Sequence, residues 1–343
     1  MSLLYISFVL VLLKIVAGQG KLPNGDPYFC VPPGICPDSG GIDPRIMTPS
    51  ANPTPNLVTC PPGLAPCYAQ GSMSNCGFRL LRINSTSDGY AQTGAYPWQA
   101  FLTGPTGAYI GSGSLLSPYH VLTATHKVLA YARNASQVTV FMGVNDPALI
   151  DRRTPRSAAA RIRYLNTSAQ PYNNLTLKND IAIITLATPI SLVGQTLINT
   201  ICLPPASSTA MTYMTPQRCV VSGWGQIQPD SRTGVPTKLK QVAVNTTTLA
   251  RCASGFAGRV NIDIYLDQTG GQLCAGGEAQ KDACFQDGGA PLTCGAGTTA
   301  SRFTVAGIVI WGKSCGQPGI YGVYTNVPFY RQWIIDVITT RIS

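Results

Sequence analysis

Twelve cysteines set the strongest constraint on how this 343-residue chain can fold. Five of them lie between residues 30 and 76, and the other seven lie between residues 202 and 315. An even number of cysteines in an oxidising compartment predicts a set of disulfide bonds without a leftover thiol. We therefore expect a small front segment that disulfides hold together, followed by a larger segment with a hydrophobic core of its own.

The amino terminus indicates secretion. Residues 2–17 are apolar apart from serines and Lys14, and the run is shorter than the ~20 apolar residues of a membrane-spanning helix. The small residues Ala17 and Gly18 are typical of a signal-peptide cleavage site, so we expect residues 1–18 to be removed. No later stretch predicts a membrane span. Five Asn-x-Ser/Thr sequons, at Asn84, Asn134, Asn166, Asn174 and Asn245, predict a glycosylated protein.

The charge of the chain favours extracellular acidic partners over nucleic acid. The chain has 24 Lys and Arg against 14 Asp and Glu, a formal net charge of +10. Half of this excess comes from five arginines with no acidic residue among them: Arg152, Arg153, Arg156, Arg161 and Arg163. One interpretation is a docking patch for an acidic protein, a polyanionic glycan or a microbial surface; the other is a solvated loop with an adjoining strand.

The composition of the chain changes near residue 77. Residues 19–77 show little periodic pattern, and residues 37–59 are rich in proline. From about residue 89, short β-branched runs alternate with turn-forming residues, which predicts an all-β fold. These runs are 108–116, 121–125, 137–142, 181–186, 219–224, 303–311 and 322–327. The apolar residues of the last segment, 330–338, instead follow the spacing of an amphipathic helix.

Ten short motifs follow one another in a characteristic order over residues 89–343. They are AYPWQ (95–99), GSGSLL (111–116), LTATH (122–126), NDIAIITL (179–186), ICLP (201–204), CVVSGWG (219–225), CAGG (274–277), DACFQDGGAPL (282–292), VIWG (309–312) and GVYTNV (322–327). Together they resemble the trypsin-like serine protease domain. The resemblance implies two six-stranded antiparallel β-barrels with an active-site cleft between them, and a helix at the carboxyl end.

The cysteine-rich front resembles the clip domain of arthropod proteases. The matching features are CVPPGIC (30–36), GIDPR (41–45) and NCGFR (75–79). A clip domain has six cysteines, whereas only four are available here if Cys76 belongs to the linker. We therefore expect a signal peptide (1–18), followed by the parts that the resemblance implies: a reduced clip-like domain (19–77), a linker (78–88) and a protease-like domain (89–343).

The motifs locate the three catalytic positions, and the nucleophile position carries no reactive side chain. Catalysis of this type needs a serine nucleophile, a histidine base and an aspartate that orients the base. His126 stands at the base position and Asp180 at the aspartate position. The serine position is Gly288, which has no side chain and cannot form an acyl-enzyme. The resemblance therefore implies a protease homologue without activity, and we expect no cofactor and no metal site.

Two further parts of the mechanism are altered. Gln286 replaces the glycine whose N–H forms half of the oxyanion hole, and we expect a side chain there to disturb that backbone. The position of the usual Ile-Val-Gly-Gly amino terminus reads Ser-Thr-Ser-Asp at residues 85–88. A cut after Arg82 is the candidate cleavage, but the usual activation by the new amino terminus is not expected.

The resemblance to the trypsin-like family also implies that the primary specificity pocket is partly preserved. Asp282 stands at the pocket base, and Gly312 and Gly322 stand at its walls. In an active enzyme these residues select Arg or Lys. Here the pocket either holds a basic side chain without cutting the chain that carries it, or is an inherited feature without a ligand.

The resemblance also implies the disulfides. Cys219–Cys294, Cys252–Cys274 and Cys284–Cys315 are expected within the protease-like domain, and Cys76–Cys202 is expected to tether the front to it. Cys30, Cys36, Cys60 and Cys67 then form two bridges with three alternative pairings. The family bridge beside the histidine is missing, because its positions are Gly111 and Lys127.

The family resemblance implies a regulator rather than an enzyme. Clip-domain protease homologues act in haemolymph immune cascades, in prophenoloxidase activation, melanization and complement-like responses. The implied partners are clip-domain proteases or their homologues, prophenoloxidase and a complement-like opsonin. The alternatives are a protein that recognises microbial surfaces or glycans and, less favoured, an active endopeptidase. Nucleic acid is not an expected partner.

Overall fold

The computed structural model describes residues 76–339 except for Ser85, 227–236 and 296–301, together with three short strands nearer the amino terminus. These strands, β1 (Gln19–Lys21), β2 (Pro27–Val31) and β3 (Ala65–Tyr68), pair antiparallel in the order β1-β2-β3. The predicted signal peptide and the four cysteine side chains of the clip-like segment lie outside the described part of the chain.

Six antiparallel strands close into a first barrel, in the order β10-β7-β6-β5-β8-β9. The strands are β5 (Gln99–Thr103), β6 (Tyr109–Ser117), β7 (His120–Thr123), β8 (Thr139–Met142), β9 (Arg156–Tyr164) and β10 (Ala182–Leu186). Alternate residues of a strand point to the same face. Pairs such as Leu102 with Ala100 and Ile184 with Ala182 therefore fill the barrel interior together.

A second barrel closes in the order β11-β14-β15-β16-β13-β12, because β12 also pairs with β11. Its strands are β11 (Arg218–Gly223), β12 (Lys240–Thr247), β13 (Gln272–Gly276), β14 (Pro291–Gly295), β15 (Phe303–Trp311) and β16 (Tyr321–Asn326). The two-residue strand β4 (Gly89–Tyr90) extends β12 on the outside. The prediction of two six-stranded antiparallel barrels is confirmed.

Few helices accompany the barrels. The described helices are α1 (Thr125–Val128), α2 (Leu249–Phe256), α3 (Ile262–Tyr265) and α4 (Val327–Thr339), with three short 3-10 helices at Leu129–Tyr131, Ala135–Gln137 and Pro147–Leu149. The predicted carboxyl-terminal helix is α4. Its side chains Tyr330, Ile334 and Ile338 are buried at the i, i+4, i+8 spacing of one helix face.

Four disulfides lie in the described residues, at the four pairings that the family resemblance implies. Cys219–Cys294 joins directly paired positions of β11 and β14. Cys252–Cys274 fixes α2 to β13, and Cys284–Cys315 joins two loops at the cleft. Cys76–Cys202 connects the front of the chain to the segment between the barrels.

The Cys76–Cys202 bond is expected to keep the front attached after a cut at Arg82. The bond closes a loop with a sequence separation of 126 residues, and closing a loop of that size contributes about 3–5 kcal/mol to stability in the chain-entropy account. Protein cut after Arg82 should migrate as one species on a non-reducing denaturing gel and as two after reduction. The double variant Cys76→Ser, Cys202→Ser should separate without reductant. Two species from the unaltered cut protein before reduction would contradict the tether.

Candidate functional site

His126 and Asp180 form a close pair at the rim of the first barrel. His126 lies in α1 directly after β7, Asp180 lies two residues before β10, and these two strands pair with each other. The Asp180 Oδ2 atom lies 2.6 Å from His126 Nδ1, and Asp180 Oδ1 accepts a hydrogen bond of 3.0 Å from the His126 N–H. Asp180 is fully buried, and the imidazole is 24% exposed. The aspartate therefore fixes the orientation of the imidazole, as a base in this chemistry requires.

Gly288 lies against the other nitrogen of the same imidazole. It belongs to the loop between Cys284 and β14, and its carbonyl accepts a hydrogen bond from the N–H of Ser112 in the first barrel. An ideal Cβ at Gly288 would lie 2.6 Å from His126 Nε2. The fold brings together all three positions of the predicted triad, and the third carries no atom that could attack a substrate.

Lys127 fills the space around Gly288, and sequence reasoning identified it only as a lost cysteine position. An ideal Cβ at Gly288 would lie 2.8 Å from Lys127 Cδ, and one at Gly111 would lie 2.6 Å from Lys127 Cε. The lysine stem thus runs across both glycines. Burial lowers the pKa of Lys127, while the carboxylates of Asp287 and Asp180 act in the opposite direction. The signal in the sequence was a charged residue directly after the catalytic-position histidine.

Gln286 has a left-handed backbone, a conformation that glycine adopts readily and other residues rarely do. Its φ is 75°, a left-handed angle that costs a side-chain-bearing residue about 1–2 kcal/mol. The carbonyl of Gln286 accepts a hydrogen bond of 3.3 Å from the Tyr109 hydroxyl. Within the described residues, no group accepts the N–H of Gln286 or of Gly288. The backbone at Gln286 is therefore left-handed and strained, and the expected disturbance of the oxyanion hole stays a prediction.

Asp282 lies against Gly322, one of the two glycines that the sequence predicts as walls of the specificity pocket. An ideal Cβ at Gly322 would lie 2.9 Å from Asp282 Oδ1, whereas one at Gly312 would meet only the Gly322 Cα, at 3.8 Å. Asp282 Oδ1 and the neighbouring Tyr324 hydroxyl are buried and have no partner among the described residues. Burial raises the pKa of Asp282 to about 7, against the effect of backbone N–H donors such as that of Gly316.

A cavity of about 600 Å³ is lined by both Asp282 and Asp287, whereas Gly312 and Gly322 do not line it. Asp287 accepts hydrogen bonds from the N–H groups of Gly225 (2.8 Å) and Cys284 (2.9 Å), and burial raises its pKa. Lys240 also lines the cavity and donates to the Gly225 carbonyl at 2.6 Å. Its charge, together with that of Lys127, acts to lower the pKa of Asp287.

Asp88 closes one side of this cavity and is held in place by the second barrel. It is the last of the four residues at the position of the usual activation tetrapeptide. Its carboxylate accepts a hydrogen bond of 2.8 Å from the Ala243 N–H and lies 3.2 Å from Lys281 Nζ. In this uncut chain, backbone N–H groups bind Asp287 and lysines balance its charge.

The candidate cleavage site at Arg82 is exposed, and the Gln92 side chain hydrogen-bonds to the backbone on both sides of Ile83. The Gln92 amide donates to the Arg82 carbonyl (3.2 Å) and accepts from the Asn84 N–H (2.9 Å). Ile83, between them, is half-buried against the core. All five sequon asparagines are exposed: Asn84, Asn134, Asn166, Asn174 and Asn245.

The five arginines of the basic segment do not form one uniform patch. Arg152, Arg153, Arg156 and Arg161 are exposed, on a loop and on β9. Arg156 folds back to donate to the Asp151 carbonyl at 3.1 Å, and its guanidinium lies over the Phe141 ring. Arg163 donates to the Val337 carbonyl of α4 at 3.2 Å. The positive charge is therefore spread around the barrel surface.

The described residues contain neither a candidate metal site nor a candidate membrane-spanning helix. Across residues 76–339, with the gaps given above, no cluster of His, Cys, Asp and Glu has the arrangement of a metal site. No helix in that same part of the chain is long and apolar enough to cross a membrane.

Comparison with known proteins agrees with this geometry. Residues 87–334 match the family model described as Trypsin. The chain is 36% identical over 329 residues to "Inactive CLIP domain-containing serine protease A3" of Aedes aegypti, covering 90% of this chain and 66% of that protein. It is 29% identical to "Phenoloxidase-activating factor 2" of Galleria mellonella, covering 85% and 97%. It is 28% identical to "Protein masquerade" of Drosophila melanogaster, covering 79% of this chain but 24% of that protein. The chain belongs to the trypsin family, among the clip-domain serine protease homologues of arthropods.

Proposed function

We propose that this protein is a secreted, non-catalytic regulator of an extracellular protease cascade. It acts by binding other cascade proteins in a protease-shaped cleft and on the surfaces around it. We assign residues 1–18 to a signal peptide, 19–77 to a reduced clip-like domain, 78–88 to a linker that is cut after Arg82, and 89–343 to the protease-like domain.

The observation that carries this proposal is the contrast around His126. The imidazole keeps its hydrogen-bonded aspartate at 2.6 Å, yet Gly288 stands on its other side with no hydroxyl, thiol or amine. General-base catalysis without a nucleophile gives no acyl-enzyme. The pocket carboxylate of Asp282 and the glycines beside it remain, so the cleft retains the means to bind a basic side chain.

The names of the relatives support a cascade role. One similar protein is called inactive, and another is called a phenoloxidase-activating factor. We infer that this chain supports prophenoloxidase activation and melanization in haemolymph. Its partners would be clip-domain proteases or their homologues, prophenoloxidase and a complement-like opsonin.

Depletion and add-back test this role. Removing the protein from haemolymph with an antibody should reduce phenoloxidase activity after a microbial challenge, and adding purified protein should restore it. The protein should restore activity equally well after treatment with a serine-directed phosphonate, because no serine at position 288 takes part. Unchanged phenoloxidase activity after depletion would contradict the cascade role. Loss of the restoring effect after the phosphonate would contradict the non-catalytic one.

A further inference from the structure

The segment that carries the candidate cleavage site is anchored to the protease-like domain at both of its ends. Upstream, the Arg79 side chain donates a hydrogen bond of 2.8 Å from Nε to the Ala95 carbonyl. Downstream, the Ser87 carbonyl accepts a hydrogen bond of 2.7 Å from the Gln241 amide. Only residues 80–86 lie between these anchors, a stretch that spans at most about 25 Å when fully extended. The segment is therefore too short to move far from the domain.

Between these anchors, the peptide bond after Arg82 is held close to the domain surface. The Gln92 amide donates to the Arg82 carbonyl at 3.2 Å and accepts from the Asn84 N–H at 2.9 Å. Ile83 is half-buried against the core. A peptide that binds in extended form is recognised through its main-chain N–H and C=O groups. These two backbone groups therefore have to leave Gln92 before a protease can bind them.

Asn84 is the second residue after the cut and the first residue of a sequon. It is exposed, and its one hydrogen bond among the described residues comes from its backbone N–H. Its side-chain amide, which is the group that an N-glycan modifies, is thus available. The amide of Asn245, in another sequon, instead donates to Glu278 Oε1 at 3.0 Å. A glycan is bulky, so one on Asn84 would stand directly beside the bond that is cut.

We propose that an N-glycan on Asn84 blocks the cut after Arg82, so that the occupancy of this one sequon decides which chains can be cleaved. A protease that binds residues on both sides of the cut takes the second residue after it into its own cleft. The anchors at Arg79 and Ser87 leave too little free chain for the glycan to be held away from that protease. This inference rests on the proposed cut after Arg82 and names how that cut is regulated.

Glycosylated and unglycosylated forms of the full chain test this block. The chain is produced in insect cells, the glycan on Asn84 is measured by mass spectrometry, and trypsin is added while the appearance of an amino terminus at Ile83 is followed by sequencing. Asn84→Gln and Thr86→Ala both remove the sequon, the second without changing Asn84 itself. Both variants should be cut at this bond at least about tenfold faster than the glycosylated chain. Asn134→Gln removes a sequon elsewhere and should be cut as slowly as the unaltered chain.

Gln92→Ala separates the effect of the glycan from that of the local hydrogen bonds. Added to Asn84→Gln, it should speed the cut about tenfold further, because proteolysis follows the population of the open segment. In the glycosylated chain, Gln92→Ala alone should leave the bond uncut.

Three results would overturn the proposed block. They are a glycosylated Gln92→Ala chain that is cut as fast as Asn84→Gln, equal cutting of the glycosylated chain and Asn84→Gln, and an Asn84 that carries no glycan. In each of these cases the proposed cut after Arg82 would still stand. The absence of an amino terminus at Ile83 in every variant would instead contradict the cleavage site itself, and this inference with it.

Discussion

Gly288→Ser is expected to leave the protein at least about a thousandfold slower than an active trypsin-like protease on an arginine substrate. The new Cβ would lie 2.6 Å from His126 Nε2 and 2.8 Å from Lys127 Cδ, so the serine can enter only if both side chains move. The oxyanion position carries Gln286 on a strained left-handed backbone, φ 75°, and if the entering serine displaces that N–H donor, the loss alone costs ~100–1000-fold. The usual amino-terminal tetrapeptide is also absent from residues 85–88.

A stepwise series of variants shows which residues limit the reaction. We expect no measurable kcat/KM and no phosphonate labelling for Gly288→Ser alone. Adding Gly111→Cys and Lys127→Cys restores the family bridge and clears the lysine stem, so labelling should appear first in this variant. Gln286→Gly should raise the rate further. The explanation fails if Gly288→Ser by itself reaches within tenfold of an active protease, because neither Lys127 nor Gln286 would then limit the reaction.

The second large effect concerns the affinity of the Asp282 pocket for a cation, measured with benzamidine. Burial raises the pKa of Asp282 to about 7, so the carboxylate is about one-tenth ionised at pH 6 and about nine-tenths ionised at pH 8. A cationic ligand binds the ionised form, and its apparent affinity scales with the fraction of competent protein. Affinity should therefore rise about tenfold from pH 6 to pH 8. Calorimetry in buffers with different ionisation enthalpies should detect proton release at pH 6.

The Asn variant is the control for this pH dependence. Asp282→Asn should weaken benzamidine binding by about a hundredfold at pH 8 and leave no dependence on pH.

The free energy of unfolding should also depend on pH through Asp282. Because the folded pKa lies above the ordinary value of 3.8, the folded state retains a proton that the unfolded state has lost, and stability falls as pH rises from about 4 to about 7. Asp282→Asn should reduce this fall in the free energy of unfolding. A benzamidine affinity of the unaltered protein that stays constant from pH 6 to pH 8 would contradict the raised pKa of Asp282.

Not all strands of the two barrels were predicted. Runs rich in β-branched residues gave β6, β7, β8, β10, β11, β15 and β16 to within about two residues, whereas β5, β9, β12, β13 and β14 were missed. Strands β5 (Gln99–Thr103) and β13 (Gln272–Gly276) contain at most one β-branched residue each. All five residues of each are buried, so neither shows an alternation of polar and apolar residues. A glutamine that pairs across the interface, such as Gln99 with Ser222, looks like a surface residue in the sequence alone.

The candidate site was also predicted only in part from the sequence. The identity of residue 288 determined that no nucleophile stands there, and the order of the motifs placed His126, Asp180 and Asp282 in register. The position of Lys127 over Gly288 could not be predicted from its place after His126, because residues 111, 127 and 288 become neighbours only when β6, α1 and the loop before β14 come together. The left-handed backbone of Gln286 was likewise hidden, since propensity disfavours it and only the surrounding contacts maintain it.

For this protein, the sequence by itself determined which chemical groups exist: twelve cysteines, an imidazole with its aspartate, a pocket carboxylate and no serine between them. The tertiary structure alone decided which of these groups meet and how they are charged. Barrel closure sets the distance between residues far apart in the chain, and burial sets the pKa of Asp282 and Lys127. Neither quantity is a property of a residue type, so the positive group beside the empty nucleophile position could be found only in the folded chain.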